Sequence, residues 1–284
     1  DGDGDQDAFV VHGADQPNRV WLNNGVGHLY PAGPLLGDGS SLAISLGDLD
    51  NDGDLDAFVT NDGQPNEVWL NDGKGVFAKT SQELGLAHSL DVALGDLDND
   101  GDLDAWVANA GPDSSWAPGR NPAPNQVWLN DGKGQFLAHP TALGDDSSWD
   151  VELGDLDNDG DLDAFVVNET SSGSSVVWRN DGTGRYTRTW MGNGQANWWG
   201  RVALGDYDSD GDLDAWVSSS PEKLLLNSGQ GDFSRSVKFY DAAKRYNFTQ
   251  VTAADFDGDL DWDLWIYSLK YGHHIMLNQG NLEF

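Results

Sequence analysis

One aspartate-rich stretch recurs along the chain and constrains its fold more than any other feature. It reads GDLDNDGDLDAFV at residues 47–59, where five aspartates in nine positions precede an apolar run. Related stretches begin at residues 96, 155, 206 and 255, and a shortened one opens the chain, with Asp1 aligned to Asp50. A period of about 50 residues indicates a propeller, a solenoid or another repeat array.

Each repeat contains four short apolar runs that are separated by turn sequences. In the second repeat an alternating run precedes the aspartate loop, and DAFV, EVWLN and VFAKT follow it. The turn NDGKG at 71–75 predicts a hairpin, because Asn and Gly accept the positive φ of tight turns. Four-stranded units that repeat six times are typical of a β-propeller. We therefore predict an all-β fold, a β-propeller of four-stranded blades, with an open β-solenoid or separate hairpins as the alternative.

The repeats predict a single propeller domain that covers residues 1–284. Its approximate repeats are 1–40, 41–88, 89–147, 148–198, 199–247 and 248–284. The chain begins inside an aspartate loop, so we expect it to be a processed chain or a fragment. Six motifs favour six blades, and seven blades would fit a fragment.

The composition excludes several classes of partner. With 38% hydrophobic residues and 13 Trp, the chain is too apolar for a disordered acidic protein. A net charge of −33 repels nucleic acid and anionic membranes and attracts cations. There is no Cys, so disulfides and thiolate metal sites are impossible.

The pattern D-x-D-x-D-G-x-x-D presents carboxylate oxygens at alternate positions of a tight loop. Calcium takes 6–8 such oxygens in flexible geometry, whereas magnesium is stricter and zinc prefers His or Cys. An EF-hand would need Glu at position twelve, where the chain has Val59, Val107 and Val166. Solvated acidic turns are the alternative. The motifs hold 29 of the 48 acidic residues at loop spacing, which favours bound calcium.

These loops, the period and the trailing W-L-N-D-G-x-G-x-F resemble the FG-GAP/VCBS repeats over essentially the whole chain. Such repeats are similar to the calcium-binding blades of integrin α-subunit propellers and occur in some lectins and secreted surface proteins. The resemblance implies that side chains at loop positions one, three, five and nine bind calcium, together with the main-chain carbonyl at position seven.

The resemblance therefore implies about five to six structural calcium ions, held in the loops of the six repeats. The implied metal residues are Asp1, Asp3, Asp5 and Asp7; Asp48, Asp50, Asp52, Asp54 and Asp56; Asp96, Asp98, Asp100, Asp102 and Asp104; Asp155, Asp157, Asp159, Asp161 and Asp163; Asp206, Asp208, Asp210, Asp212 and Asp214; and Asp255, Asp257, Asp259, Asp261 and Asp263. The first loop lacks its leading Asp and is expected to be incomplete. In the last loop Leu260 replaces the sixth-position Gly, so we expect a distorted or weak site.

The loops at the opposite end of each predicted blade vary in sequence and are the expected ligand face. Four tryptophans fall in these polar, Gly-rich loops, namely Trp116, Trp149, Trp198 and Trp199. Such aromatics suit sugar stacking or a protein hot spot, although they could instead pack between blades. Five further tryptophans lie in predicted strands and are expected in the core: Trp69, Trp106, Trp128, Trp178 and Trp216.

We expect a secreted or cell-surface, calcium-stabilised binding or adhesion module, lectin-like, that recognises an extracellular glycan or protein. The alternative is a self-assembling structural subunit of an extracellular surface assembly or filament. A polysaccharide-acting enzyme module is less favoured, because it would need a basic cleft and the chain has only 15 Lys and Arg residues. The paired carboxylates also suit a cation better than acid/base catalysis. His273 and His274 are predicted to lie in a turn, so no catalytic residue is assigned. No nucleic acid partner and no membrane insertion are expected.

Overall fold

The computed structural model describes residues 1–110, 123–141, 143–144, 146–169, 175–192, 200–218, 223–238, 248–268, 272–280, 282 and 284. These residues form strands, turns and bends only, in two compact units, Asp1–Asp145 and Asp146–Phe284. No helix in this part of the chain could cross a bilayer. The expected all-β fold of propeller blades is confirmed, and the prediction of one domain stays a prediction.

The first unit contains three antiparallel sheets, whose strands pair in chain order. The first sheet has β1 (Ala8–Val10), β2 (Asn18–Leu22) and β3 (Tyr30–Leu36). The second has β4 (Ser41–Gly47), β5 (Asp56–Asn61), β6 (Glu67–Asn71) and β7 (Phe77–Lys79). The third has β8 (Ser89–Gly95), β9 (Asp104–Asn109), β10 (Gln126–Asn130) and β11 (Phe136–Ala138).

The second unit repeats this arrangement with three further antiparallel sheets. The fourth sheet has β12 (Ser147–Gly154), β13 (Asp163–Glu169), β14 (Val176–Asn180) and β15 (Tyr186–Met191). The fifth has β16 (Val202–Gly205), β17 (Asp214–Val217), β18 (Lys223–Leu226) and β19 (Arg235–Lys238). The sixth has β20 (Phe248–Ala254), β21 (Asp263–Ser268) and β22 (Gly272–Met276).

Each complete aspartate loop joins the first two strands of its sheet. The register places Gly47 opposite Asp56 and Gly95 opposite Asp104, so the ninth loop residue begins the second strand. Strands β5 and β9 are buried along their whole length. Their continuous apolar runs, rather than an alternating pattern, reflect burial on both faces.

The hydrophobic core lies between neighbouring sheets of a unit. In the first unit Phe58 of the second sheet meets Phe136 of the third edge to face, with ring centroids 5.3 Å apart. In the second unit Phe165 and Phe233 repeat this contact at 5.1 Å. The second and third sheets therefore bury apolar side chains against each other, as do the fourth and fifth.

Two local predictions are corrected by the structure. The sequence predicts Trp149 in a loop, but β12 already begins at Ser147, because Ser147 and Ser148 pair with Glu169 and Asn168 of β13. His273 and His274 lie in β22 rather than in a turn. The ring of His273 stacks on Trp265, with centroids 5.0 Å apart.

Candidate metal centres

Five loops bring three carboxylates together closely enough to share one cation. In each cluster one oxygen from every residue lies within 4.8 Å of the others. The clusters are Asp48, Asp50 and Asp56; Asp96, Asp98 and Asp104; Asp155, Asp157 and Asp163; Asp206, Asp208 and Asp210; and Asp255, Asp257 and Asp259. In the described residues the first loop forms no such cluster.

The aspartates at loop positions one and five accept backbone N–H groups of their own loop and so bend it. In the second sheet the two carboxylate oxygens of Asp48 accept the N–H groups of Asp52 at 3.1 Å and Gly53 at 3.0 Å. Asp52 in turn accepts the N–H of Asp54 at 3.0 Å. Gly53 has a φ of 95°, so glycine at position six permits this sharp bend. The bend turns the carboxylates inward without help from distant residues.

The aspartate at loop position three has a buried carboxylate oxygen without a hydrogen-bond partner in four of the loops. Asp50 Oδ1, Asp98 Oδ1, Asp157 Oδ1 and Asp208 Oδ1 are each buried without a hydrogen-bond partner. Buried polar atoms are almost always hydrogen-bonded, so the same exception in four loops indicates a missing partner. A cation that prefers hard oxygen ligands fits these carboxylate oxygens.

The aspartate at loop position nine has a role that the sequence pattern did not reveal. Asp56 is fully buried, and its two oxygens accept N–H groups from Leu49 at 2.9 Å and Asn71 at 2.7 Å. Asp214 repeats the arrangement with Tyr207 at 3.2 Å and Asn227 at 2.8 Å. This carboxylate therefore fastens the loop to the end of the third strand, besides being available to a cation.

Burial perturbs the acidity of these carboxyl groups. Desolvation raises the pKa of Asp104, Asp163 and Asp214 to about 7, although backbone N–H groups act in the opposite direction. The pKa of Asp50 is also raised, first by desolvation and then by the charge of Asp52. In the metal-free loops, burial thus favours the protonated form of these carboxyl groups. A bound cation would favour the ionised carboxylates instead.

The asparagine that ends the third strand connects neighbouring sheets, and sequence reasoning assigned it only to a turn. Asn130 Nδ2 of the third sheet donates to the carbonyl of Leu49 in the second-sheet loop at 2.8 Å. Asn227 of the fifth sheet does the same to Leu156 of the fourth at 2.8 Å. The available signal was the recurrence of this asparagine in every repeat, within W-L-N, W-R-N, L-L-N or M-L-N.

The residue at loop position four also contacts the next sheet. Asn51 Nδ2 donates to the seventh-position Asp102 at 2.7 Å, and Asn158 Nδ2 donates to Asp212 at 2.7 Å. Side chains at position seven therefore serve contacts between sheets. The calcium-binding role of the carbonyl at this position stays a prediction.

The last loop bends with a different set of hydrogen bonds: Asp255 accepts the N–H groups of Gly258 at 2.6 Å and Leu260 at 3.1 Å, at positions four and six instead of five and six. Leu260 itself adopts a φ of 78°, and its side chain is 87% exposed. The three carboxylates of this cluster, Asp255, Asp257 and Asp259, are all exposed, unlike those of the second, third and fourth loops. The expected weakness of this site stays a prediction.

The predicted ligand-face tryptophans receive one correction. Trp149 lies in β12 and is only 8% exposed, because Ser147 and Ser148 extend the strand past the expected loop. Its ring therefore cannot offer a face to a sugar. Trp116, Trp198 and Trp199 lie outside the described residues. Of the five expected core tryptophans four are buried, and Trp128 is half-buried against the core of the second and third sheets.

Comparison with known families agrees with this repeated site. A family model described as FG-GAP-like repeat matches residues 1–59, 48–107, 112–166 and 155–217, which is more than half of the chain. The chain belongs to the FG-GAP-like repeat family. Each of these four matches ends within or at the strand that follows an aspartate loop. No curated protein sequence matches this FG-GAP-like chain.

Several solved structures share the fold of this FG-GAP-like protein. One is an Agrocybe aegerita lectin that recognises non-reducing terminal N-acetylglucosamine, with a TM-score of 0.64 and 18% identity over 98% of this chain and 75% of the lectin. Another is the BP39L lectin of Burkholderia pseudomallei, with a TM-score of 0.65 and 13% identity over 97% and 78%. A third is BBS1N in complex with ARL6DN, with a TM-score of 0.58 and 10% identity over 97% and 79%.

Proposed function

We propose that this protein is a calcium-stabilised carbohydrate-binding module that acts in a secreted or cell-surface setting. The observation that carries the calcium part is the buried, unpaired carboxylate oxygen at the third position of four loops. The carbohydrate part is supported by the similarity of the fold to two lectins. Because fold alone does not fix function, the ligand must be tested directly.

The residues that would hold each ion are the clustered carboxylates of its loop. In the second loop these are Asp48, Asp50 and Asp56, and the third and fourth loops offer the same three positions. The fifth and last loops offer positions one, three and five instead. A bound calcium ion supplies positive charge that offsets the repulsion between the carboxylates. Binding to the folded state alone would add about 2.7 kcal/mol of stability per site at a hundredfold excess over Kd.

Binding, rather than catalysis, is the activity that this arrangement supports. Asp48 and Asp56 accept backbone N–H groups, and the unpaired oxygen of Asp50 suits a cation better than proton exchange with a substrate. The expected ligand face is the end of the sheets opposite the aspartate loops. Trp116, Trp198 and Trp199 stay its predicted contact residues.

The decisive experiment is a glycan array probed with purified protein in millimolar calcium and again in EGTA. We expect binding to a defined sugar in calcium and much weaker binding in EGTA, as the loops lose their ions. Trp199→Ala should reduce sugar binding without changing the melting temperature in calcium. Asp98→Asn, in a loop, should instead reduce the calcium-dependent gain in melting temperature.

Two results would contradict the proposal in different ways. No bound sugar in either condition would exclude the carbohydrate part and favour a protein ligand, a role that the complex of BBS1N with ARL6DN illustrates for a similar fold. An unchanged melting temperature on addition of calcium would exclude the calcium part. Assembly into polymers in calcium, visible by electron microscopy, would favour the structural-subunit alternative.

A further inference from the structure

One strand carries a cation where its counterparts carry leucine. In each repeat one residue directly precedes the asparagine described above. In the fourth sheet this residue is Arg179 of β14. In the other sheets the residues at this place are Leu22, Leu70, Leu129, Leu226 and Leu277. Arg179 is therefore a single departure from an otherwise uniform apolar position.

The guanidinium of Arg179 pairs with a carboxylate of the fourth loop. Its Nε atom lies 2.5 Å from Oδ2 of Asp157, the third-position aspartate, whose side chain is 7% exposed. A second guanidinium nitrogen donates to the carbonyl of Gln230 in the fifth sheet at 2.6 Å. Arg179 thus joins the loop of its own sheet to the turn of the next.

The second and third loops lack this internal cation. No lysine or arginine in the described part of the chain lies within 4.0 Å of Asp50 or Asp98, the equivalents of Asp157. Leu70 instead contacts the turn of the next sheet, where a Cβ atom on Gly134 would come within 2.9 Å of its Cδ2. The same structural position is thus apolar packing in one sheet and charge compensation in another.

We infer that Arg179 acts as a built-in counter-cation of the fourth loop, stabilising it without calcium and lowering its calcium affinity below that of the second and third loops. The inference depends on the calcium part of the proposed function. An arginine side chain is always charged, so it competes with a cation for Asp157 at any physiological pH. Asp157 Oδ1 stays unpaired, so the loop retains one oxygen for an ion.

This arrangement has a consequence for the protein at low calcium. The second and third loops would carry uncompensated carboxylates and lose stability first as calcium is withdrawn. The fourth loop would keep its shape, because Arg179 offsets the charge of Asp157 and holds the turn that contains Gln230. The chain would then contain calcium sites of graded affinity in loops of nearly identical sequence.

The test is Arg179→Leu, which restores the residue found in the other sheets. Its matched control is Arg188→Leu, which also removes one positive charge and one ion pair from the fourth sheet. Arg188 pairs with Asp146 at 2.8 Å, away from the aspartate loop, and its exposure of 31% is close to the 35% of Arg179. Calcium affinities are measured by calorimetric titration of the metal-free protein, and melting temperatures are measured in EDTA.

We expect Arg179→Leu to tighten calcium binding at the fourth loop by about 10- to 100-fold, the range over which neighbouring groups tune metal affinity. It should also lower the melting temperature in EDTA, because the charge of Asp157 loses its partner. Arg188→Leu should leave all calcium affinities unchanged. The reciprocal change Leu129→Arg in the third sheet should weaken one calcium site, which keeps the inference testable if Arg179→Leu does not fold.

The outcomes separate this inference from the proposed function. Identical calcium titrations for Arg179→Leu and Arg188→Leu would overturn the inference and leave the proposed function intact. Weaker binding in Arg179→Leu would also overturn it, because Arg179 would then support the ion. A wild-type protein that binds no calcium would overturn both.

Discussion

Replacing Asp56 with alanine in the metal-free protein separates the structural role of the ninth loop position from its role towards a cation. Asp56 is fully buried and accepts the N–H groups of Leu49 and Asn71 at 2.9 and 2.7 Å. Alanine leaves both N–H groups without their acceptor, at about 1–3 kcal/mol each. We therefore expect the free energy of unfolding to fall by about 2–6 kcal/mol, a large part of the roughly 5–15 kcal/mol that is typical of native proteins.

The assay is urea denaturation in EDTA, followed by tryptophan fluorescence and extrapolated linearly to water. It is made at mildly acidic pH, because burial raises the pKa of Asp56 and its ionisation would itself destabilise the wild-type protein. Asp52→Ala is the matched control. It removes the same group from the same loop, but Asp52 is exposed and accepts only the N–H of Asp54, at 3.0 Å.

The two variants should differ in their stability in EDTA, and both should gain less stability from calcium than the wild-type protein. In EDTA, Asp52→Ala should cost under about 1 kcal/mol, as for an exposed hydrogen bond. In calcium, both variants should lose part of the calcium-dependent stabilisation. Equal free energies of unfolding for the two variants in EDTA would refute the reasoning, since Asp56 would then act only as a cation ligand.

Two further predictions concern pH and backbone conformation. The metal-free protein should lose stability as pH rises from about 4 to 8, because burial raises the pKa of Asp104, Asp163 and Asp214 to about 7. The folded state then favours the protonated forms, so their contribution is complete below the unfolded pKa and is lost as pH passes about 7; melting temperatures in EDTA that rise with pH would contradict this. Leu260→Gly should raise the melting temperature, since a φ of 78° costs a non-glycine residue about 1–2 kcal/mol. Leu86→Gly, at another exposed leucine without positive φ, should not raise it, and equal effects would argue against the strain.

The repeat pattern carries most of the information about the fold and the metal loops. Alternation and apolar runs predicted the strands on both sides of each loop, and the structure places Asp56 and Asp104 where the second strands begin. The loop bend depends on neighbours such as Asp48 and Gly53, four to five residues apart or less. Local spacing is sufficient for such features, because all the interacting groups lie within one turn.

The tertiary structure alone decides the contacts between residues that are distant in the chain. Asn130 meets Leu49 across 81 positions, and Arg179 meets Gln230 across 51. Trp149 looked like a loop residue, but pairing of the neighbouring serines with β13 extends the strand and buries its ring. Sequence spacing determines which groups can form a loop. Only the packing of one sheet against the next decides whether a carboxylate there meets an N–H group, a guanidinium or an ion.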